Sequence, residues 1–196
     1  MSWSAARFLA GLVLFATLGA SPLGALEARD PSPPVVRGTE ESREYQLKSA
    51  FIYNFTKYVK WPDSAFEEQD SPLIIAVVGK DPFGPVLDKD CGGKTTNGRK
   101  IVVKRFPSVE KLETCHLLFV PATEITQAPA IARRYSGSSV LIIGESPGFA
   151  EKYGLINFYI EKKRVNFEVN VDAAEREKLG ISSQLLKLAR IVKDNQ

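Results

Sequence analysis

The chain has 196 residues, 44% hydrophobic and 25% charged, with 26 Lys and Arg against 23 Asp and Glu. Cations and anions are interspersed, so there is no basic stripe to follow a phosphate backbone and no nucleic-acid partner is expected. One histidine and two cysteines cannot build a His-rich or thiolate centre, so neither a metal nor any other cofactor is expected.

Residues 1–25 place a single cation, Arg7, before an apolar and small-residue run from Phe8 to Ala20, with Gly and Pro after it. This is the order of a secretory signal peptide, and the run is well short of the roughly 20 residues that a membrane-spanning helix needs. Cleavage is expected between Ser21 and Ala25, which removes Arg7 and leaves 25 cations against 23 anions. The mature chain is then a periplasmic or secreted domain. Residues 26–46 are polar and Pro-rich without hydrophobic periodicity, and read as a flexible lead-in to a single domain over 47–193.

The stretch KSAFIYNFTKYVKWP, Lys48 to Pro62, carries five aromatic rings. Leu47, Phe51, Phe55, Tyr58 and Val59 recur at helical spacing and form the expected apolar face, with Lys48, Asn54, Lys57 and Lys60 on a more polar side. Pro62 halts the helix and biases Trp61 toward extended backbone. Tyr53 and Trp61 are left as rings available for partner contact.

Next come four short apolar runs, PLIIAVVG (72–79), KIVVKRF (100–106), CHLLFV (115–120) and SVLIIG (139–144). Helical segments are expected after the first (FGPVLDKD) and over about 124–136. Strands alternating with helices predict a parallel sheet with right-handed crossovers. The pattern then changes: Ile156, Phe158 and Ile160 alternate with Asn157, Tyr159 and Glu161. Beyond a Lys162-Lys163 turn, Val165, Phe167 and Val169 repeat the alternation. This predicts an antiparallel hairpin, followed by a short helix ended by Gly180 and a second, SSQLLKLARIV, capped by Ser182. The predicted fold is α/β, a three-layer sandwich with a mostly parallel sheet, a C-terminal antiparallel hairpin and two short helices.

Cys91 follows the first crossover helix and Cys115 opens the third run, so both fall at the strands' N-terminal edge. In an oxidising compartment this predicts a Cys91–Cys115 disulfide, with a chain-entropy contribution of roughly 3 kcal/mol.

The catalytic motifs fail on chemistry. GESPG (144–148) fits G-x-S-x-G, but the N–H after the nucleophile must hold an oxyanion and Pro147 has none. CGGKTT resembles the end of a Walker A loop, yet Asp88 stands where the first glycine belongs and a strand follows. His116, at a strand start, reads as structural. No enzyme activity is expected. Open α/β sheets bind ligands beyond the carboxyl ends of their strands, which places Asp81, Phe83, Glu145, Ser146 and Phe149 at one candidate ligand edge.

Taken in order, KSAFIYNFTKYVKWP, VVGKDPFG, NGRKIVV, CHLLFV, GESPGFAEKYGLINF, RVNFEVNVDAA and LGISSQLLKLARIV resemble the YfiR family of periplasmic proteins, over Leu47 to Val192. The resemblance implies a regulator that binds and restrains the periplasmic sensory part of a membrane-bound diguanylate cyclase, modulating cyclic-di-GMP signalling and biofilm behaviour. It also implies a homodimer. The competing reading is a periplasmic small-ligand-binding module with no cyclase partner.

Overall fold

The computed structural model describes residues 37–195; the predicted signal peptide and the first part of the lead-in lie outside them. In chain order, helix α1 (Arg37–Tyr58) runs into a two-residue strand β1 (Val59–Lys60). Strand β2 (Leu73–Val78), helix α2 (Pro85–Cys91), and strands β3 (Thr95–Thr96), β4 (Arg99–Phe106) and β5 (Leu117–Val120) follow. Then come α3 (Ala128–Arg134), β6 (Leu141–Gly144), α4 (Phe149–Lys152), β7 (Ile156–Glu161) and β8 (Arg164–Asn170). The chain closes with α5 (Val171–Arg176), β9 (Gly180–Ile181), α6 (Ser183–Leu186) and β10 (Arg190–Val192).

Eight strands form one sheet in the order β10-β8-β7-β6-β5-β2-β4-β3. The β2–β4, β2–β5, β5–β6, β6–β7 and β8–β10 pairs are parallel, and the β7–β8 and β3–β4 pairs are antiparallel. The four apolar runs are the inner parallel strands; side chains alternate along a strand, and β2, β5 and β6 bury both faces, whereas β4 leaves Val102 exposed on one. Ile75, Val77, Leu117, Phe119, Leu141 and Ile143 face one core with α1, α2 and α6. Ala76, Val78, Leu118, Val120 and Ile142 face a second core with α3 and α4. The result is the three-layer α/β sandwich that the alternating pattern predicts.

Four details differ from the sequence reading. Helix α1 begins at Arg37, inside the stretch expected to be flexible. Its buried stripe is rotated, so that Lys48, Ser49, Ile52, Phe55, Thr56 and Val59 lie inside while Leu47 (47%) and Tyr58 (36%) are exposed. The last predicted helix keeps its Ser182 cap, whose hydroxyl accepts from the Leu185 N–H at 3.2 Å, but is only four residues long. Its continuation instead becomes the edge strand β10, because Arg190 can pair there with Glu168 of β8.

The fourth difference is a correction: the expected disulfide is absent, and Cys91 and Cys115 are free, buried thiols. Strand β4 lies on one side of β2 and β5 on the other. Right-handed crossovers in opposite directions use opposite faces of a sheet. Cys91, at the end of α2, therefore joins the first core, while Cys115, arriving along the other face, joins the second. The two residues share an edge, but the sheet separates them. Burial, then the charge of Asp90, pushes the Cys91 thiol up to about 12, and burial pushes Cys115 up to about 11. Both thiols stay protonated and unreactive while the chain is folded. Unfolded, non-reduced protein is expected to take two alkyl groups by intact mass; none would reinstate the bridge.

Candidate functional site

At the carboxyl ends of the strands, the expected ligand edge is filled from above by α1. Glu145 directly follows β6. Its Oε2 lies 2.6 Å from Lys48 Nζ, and its Oε1 accepts from the Tyr45 hydroxyl at 3.1 Å and from the Ala122 N–H at 2.9 Å. Both ionic side chains are about 95% buried, and Glu44 adds a second carboxylate to Lys48 one helical turn away. Burial, then the charge of Glu145, holds the Tyr45 hydroxyl well above its ordinary range. The Tyr45 ring meets Phe83 edge-on at 5.3 Å, and Phe83 meets Phe119 at 4.7 Å.

The remaining candidates at this edge are also engaged within the fold. Asp81 accepts the Phe83 N–H at 2.8 Å and pairs with Arg105 at 2.6 Å; Arg105 also reaches Asp88 at 2.5 Å. Ser146 is buried, and its carbonyl accepts the Phe149 N–H at 3.0 Å. Phe149 packs in the second core, so close that a Cβ at Gly144 would meet its ring at 2.3 Å. The structure thus gathers Asp81, Phe83 and Glu145 around Tyr45, and places Phe149 in the core of the opposite face.

The second candidate surface lies at the other end of α1. Half-buried Tyr53 carries Lys57 Nζ 4.0 Å and Lys94 Nζ 4.5 Å from its ring centre. Trp61 is half-buried too, held by a 3.1 Å bond from its Nε1 to the His116 carbonyl. Beside it the Arg99 guanidinium sits 3.6 Å from the Phe66 ring centre. Arg99 also donates to the carbonyls of Glu68 at 3.1 Å and Ser71 at 2.8 Å. Trp61, Phe66 and Arg99 border a hollow of about 600 Å³, where Lys57, Lys60 and Arg99 face a single carboxylate, Asp63; Tyr53 lies outside it. Cations held over rings beside an open indole make a basic, aromatic face. Tyr53 and Trp61 are the contact candidates of the sequence; Phe66 and Arg99, which the sequence does not single out, become neighbours only through the fold.

His116 pins this surface to the sheet. Its Nδ1 accepts the Ile74 N–H at 3.0 Å, which leaves the proton on Nε2 to donate to the Ala65 carbonyl at 3.1 Å. Phe66 stacks on the imidazole at 4.4 Å. Burial, reinforced by Arg99, lowers the His116 pKa despite the Ala65 bond. The unfolded chain therefore binds a proton more readily, so this contribution to stability is complete above about pH 6.5 and is lost as pH falls toward the folded value. The chain has one histidine, so His116→Gln is expected to flatten the stability profile between about pH 5 and 7. An unchanged slope in urea melts would contradict this.

Helix α1 thus fills the crevice above Glu145 at one end and carries a basic, aromatic face at the other. The family model described as YfiR/HmsC-like matches residues 45–190, and the chain belongs to that family. Among solved structures, the ABC domain in complex with L-Trp from Streptococcus pneumonia aligns at 13% identity and a TM-score of 0.46, over 61% of this chain and 56% of that one. This chain thus spans little more than half the length of that relative. No described helix is long and apolar enough to cross a membrane.

Proposed function

We propose that the protein is a periplasmic regulator that binds and restrains the periplasmic sensory part of a membrane-bound diguanylate cyclase, and so lowers cyclic-di-GMP output. Family membership supports a regulatory role, and the leader over residues 1–25 supports export. An exported protein never meets the cytoplasmic nucleotide, so it acts through a partner that spans the membrane. Binding that favours an inactive state by several kcal/mol is enough to silence such a partner.

The observation that carries the reading is the hollow at Trp61, where a half-buried indole lies among three cations. Trp and Arg are the side chains that most often anchor protein interfaces. The complementary partner surface is acidic, with an apolar group to fill the hollow. In cells making the cyclase, export of the wild-type protein should lower cyclic-di-GMP. Lys57 and Lys60 are exposed, so the double reversal Lys57→Glu/Lys60→Glu should relieve that repression while the protein stays folded. Two copies of the regulator, implied by the family resemblance, would be seen by light scattering on the same samples. The alternative small-ligand reading is favoured by one observation, an unpartnered acceptor beside a different cavity.

A further inference from the structure

Asn157 and Glu168 face each other across the β7–β8 hairpin, on the side of the sheet that carries α4. The Asn157 side chain is almost wholly enclosed, at 1% exposure. Its Nδ2 donates to Glu168 Oε1 at 3.1 Å, while its Oδ1 receives no hydrogen bond. Among the described residues this is the only buried side-chain polar atom without a partner, a condition native structures rarely tolerate unless something absent completes it. Asn157 also lines a cavity of about 340 Å³ between the start of α4 and the sheet.

The cavity has a distinct chemistry. Its charged lining is Glu145, Glu151, Glu168 and Arg190, so carboxylates outnumber cations three to one. Phe158, Ile160 and Pro147 supply apolar wall. Lys48 offsets Glu145 and Arg190 offsets Glu168, its Nε lying 3.1 Å from Oε2. Arg190 lies at the rim, with a side chain 54% exposed and a guanidinium 4.1 Å from the Tyr159 ring centre, whereas the Glu168 side chain is 4% exposed.

We infer that this cavity binds a small organic cation, a protonated amine on a short apolar body. An orphan acceptor calls for a donor, and an acidic lining favours a positive one. An ammonium group has three N–H bonds to share between Asn157 Oδ1 and the Glu168 carboxylate. It also meets Glu151, the one carboxylate of the lining that forms no ion pair among the described residues. A metal ion does not fit, because no described group of three or more His, Cys, Asp or Glu side chains could hold one. The inference does not rest on the cyclase reading, since it concerns the isolated protein and a different surface.

The test is NMR on ¹⁵N-labelled exported protein, with n-butylammonium and butyrate as probes at matched ionic strength. Butylammonium should shift the Asn157 side-chain amide and the Tyr159 and Glu168 backbone amides saturably; butyrate, of similar size but without a cationic donor, should not. Asn157→Leu should weaken the response at least tenfold. Because that change also strips a partner from Glu168, Glu151→Gln serves as the milder variant and should weaken it several-fold with the fold intact. Equal saturation by butyrate would overturn the inference. So would no saturable shift at these resonances, the outcome expected if Oδ1 holds only a water molecule.

Discussion

Replacing Phe55 by alanine is expected to lower the free energy of unfolding by about 3–5 kcal/mol. The ring is fully enclosed and joins α1 to the hairpin. It stacks on Phe51 at 6.1 Å and on Phe158 at 5.7 Å, and meets Phe167 edge-on at 5.1 Å. Truncation would leave a cavity walled by three rings on three elements, α1, β7 and β8, which cannot close without moving the helix. A loss of that size is a large share of a domain's usual 5–15 kcal/mol. Leu47→Ala, on the exposed side of the same helix, is expected to stay within about 0.5 kcal/mol. Urea melts showing equal losses for the two would contradict the assigned face.

The second large effect lies at Lys48. Its ammonium is shared between Glu44 and Glu145, and both it and Glu145 are buried. Lys48→Met leaves the Glu145 carboxylate without its closest cation in a place water does not reach, and removing one partner of a buried pair costs about 3–5 kcal/mol. Lys48→Met combined with Glu145→Gln should be less damaging than Lys48→Met alone. The amide is uncharged, and its oxygen can still accept from Tyr45 and Ala122. A double variant as unstable as the sum of the singles would show that the two residues do not interact.

These two residues also show what was readable in the sequence. Helical spacing at 51, 55 and 59 places Phe55 and Val59 inside, and strand alternation at 156, 158, 165 and 167 places the rings that meet them. Spacing alone does not set the angular position of the stripe. Lys48 falls on the buried side only because Glu145, distant in the chain, waits there with two other donors. The same limit explains the cysteines: strand direction gives their common edge, but the face depends on which way the chain next crosses the sheet. For β10, a short amphipathic run reads as helix until Glu168 offers Arg190 a place on the sheet edge. At the candidate sites, residue type singles out Trp61 and Tyr53 as candidates, and strand order puts Asp81, Phe83 and Glu145 at one edge. That α1 would fill the crevice above them, and that Arg99 would cover Phe66, depends on contacts between distant segments.

The pivotal contact is the one proposed between the Trp61 face and a membrane-bound diguanylate cyclase. Its most direct test is capture of the cyclase from solubilised membranes by the exported wild-type protein and by Trp61→Ala, each with its melting temperature measured. The wild type is expected to retain the cyclase through its periplasmic part. Truncating a central aromatic anchor costs about 2 kcal/mol or more, so Trp61→Ala should bind at least about thirtyfold more weakly. Retention by a folded Trp61→Ala protein equal to that of wild type, or no cyclase captured by either, would contradict it.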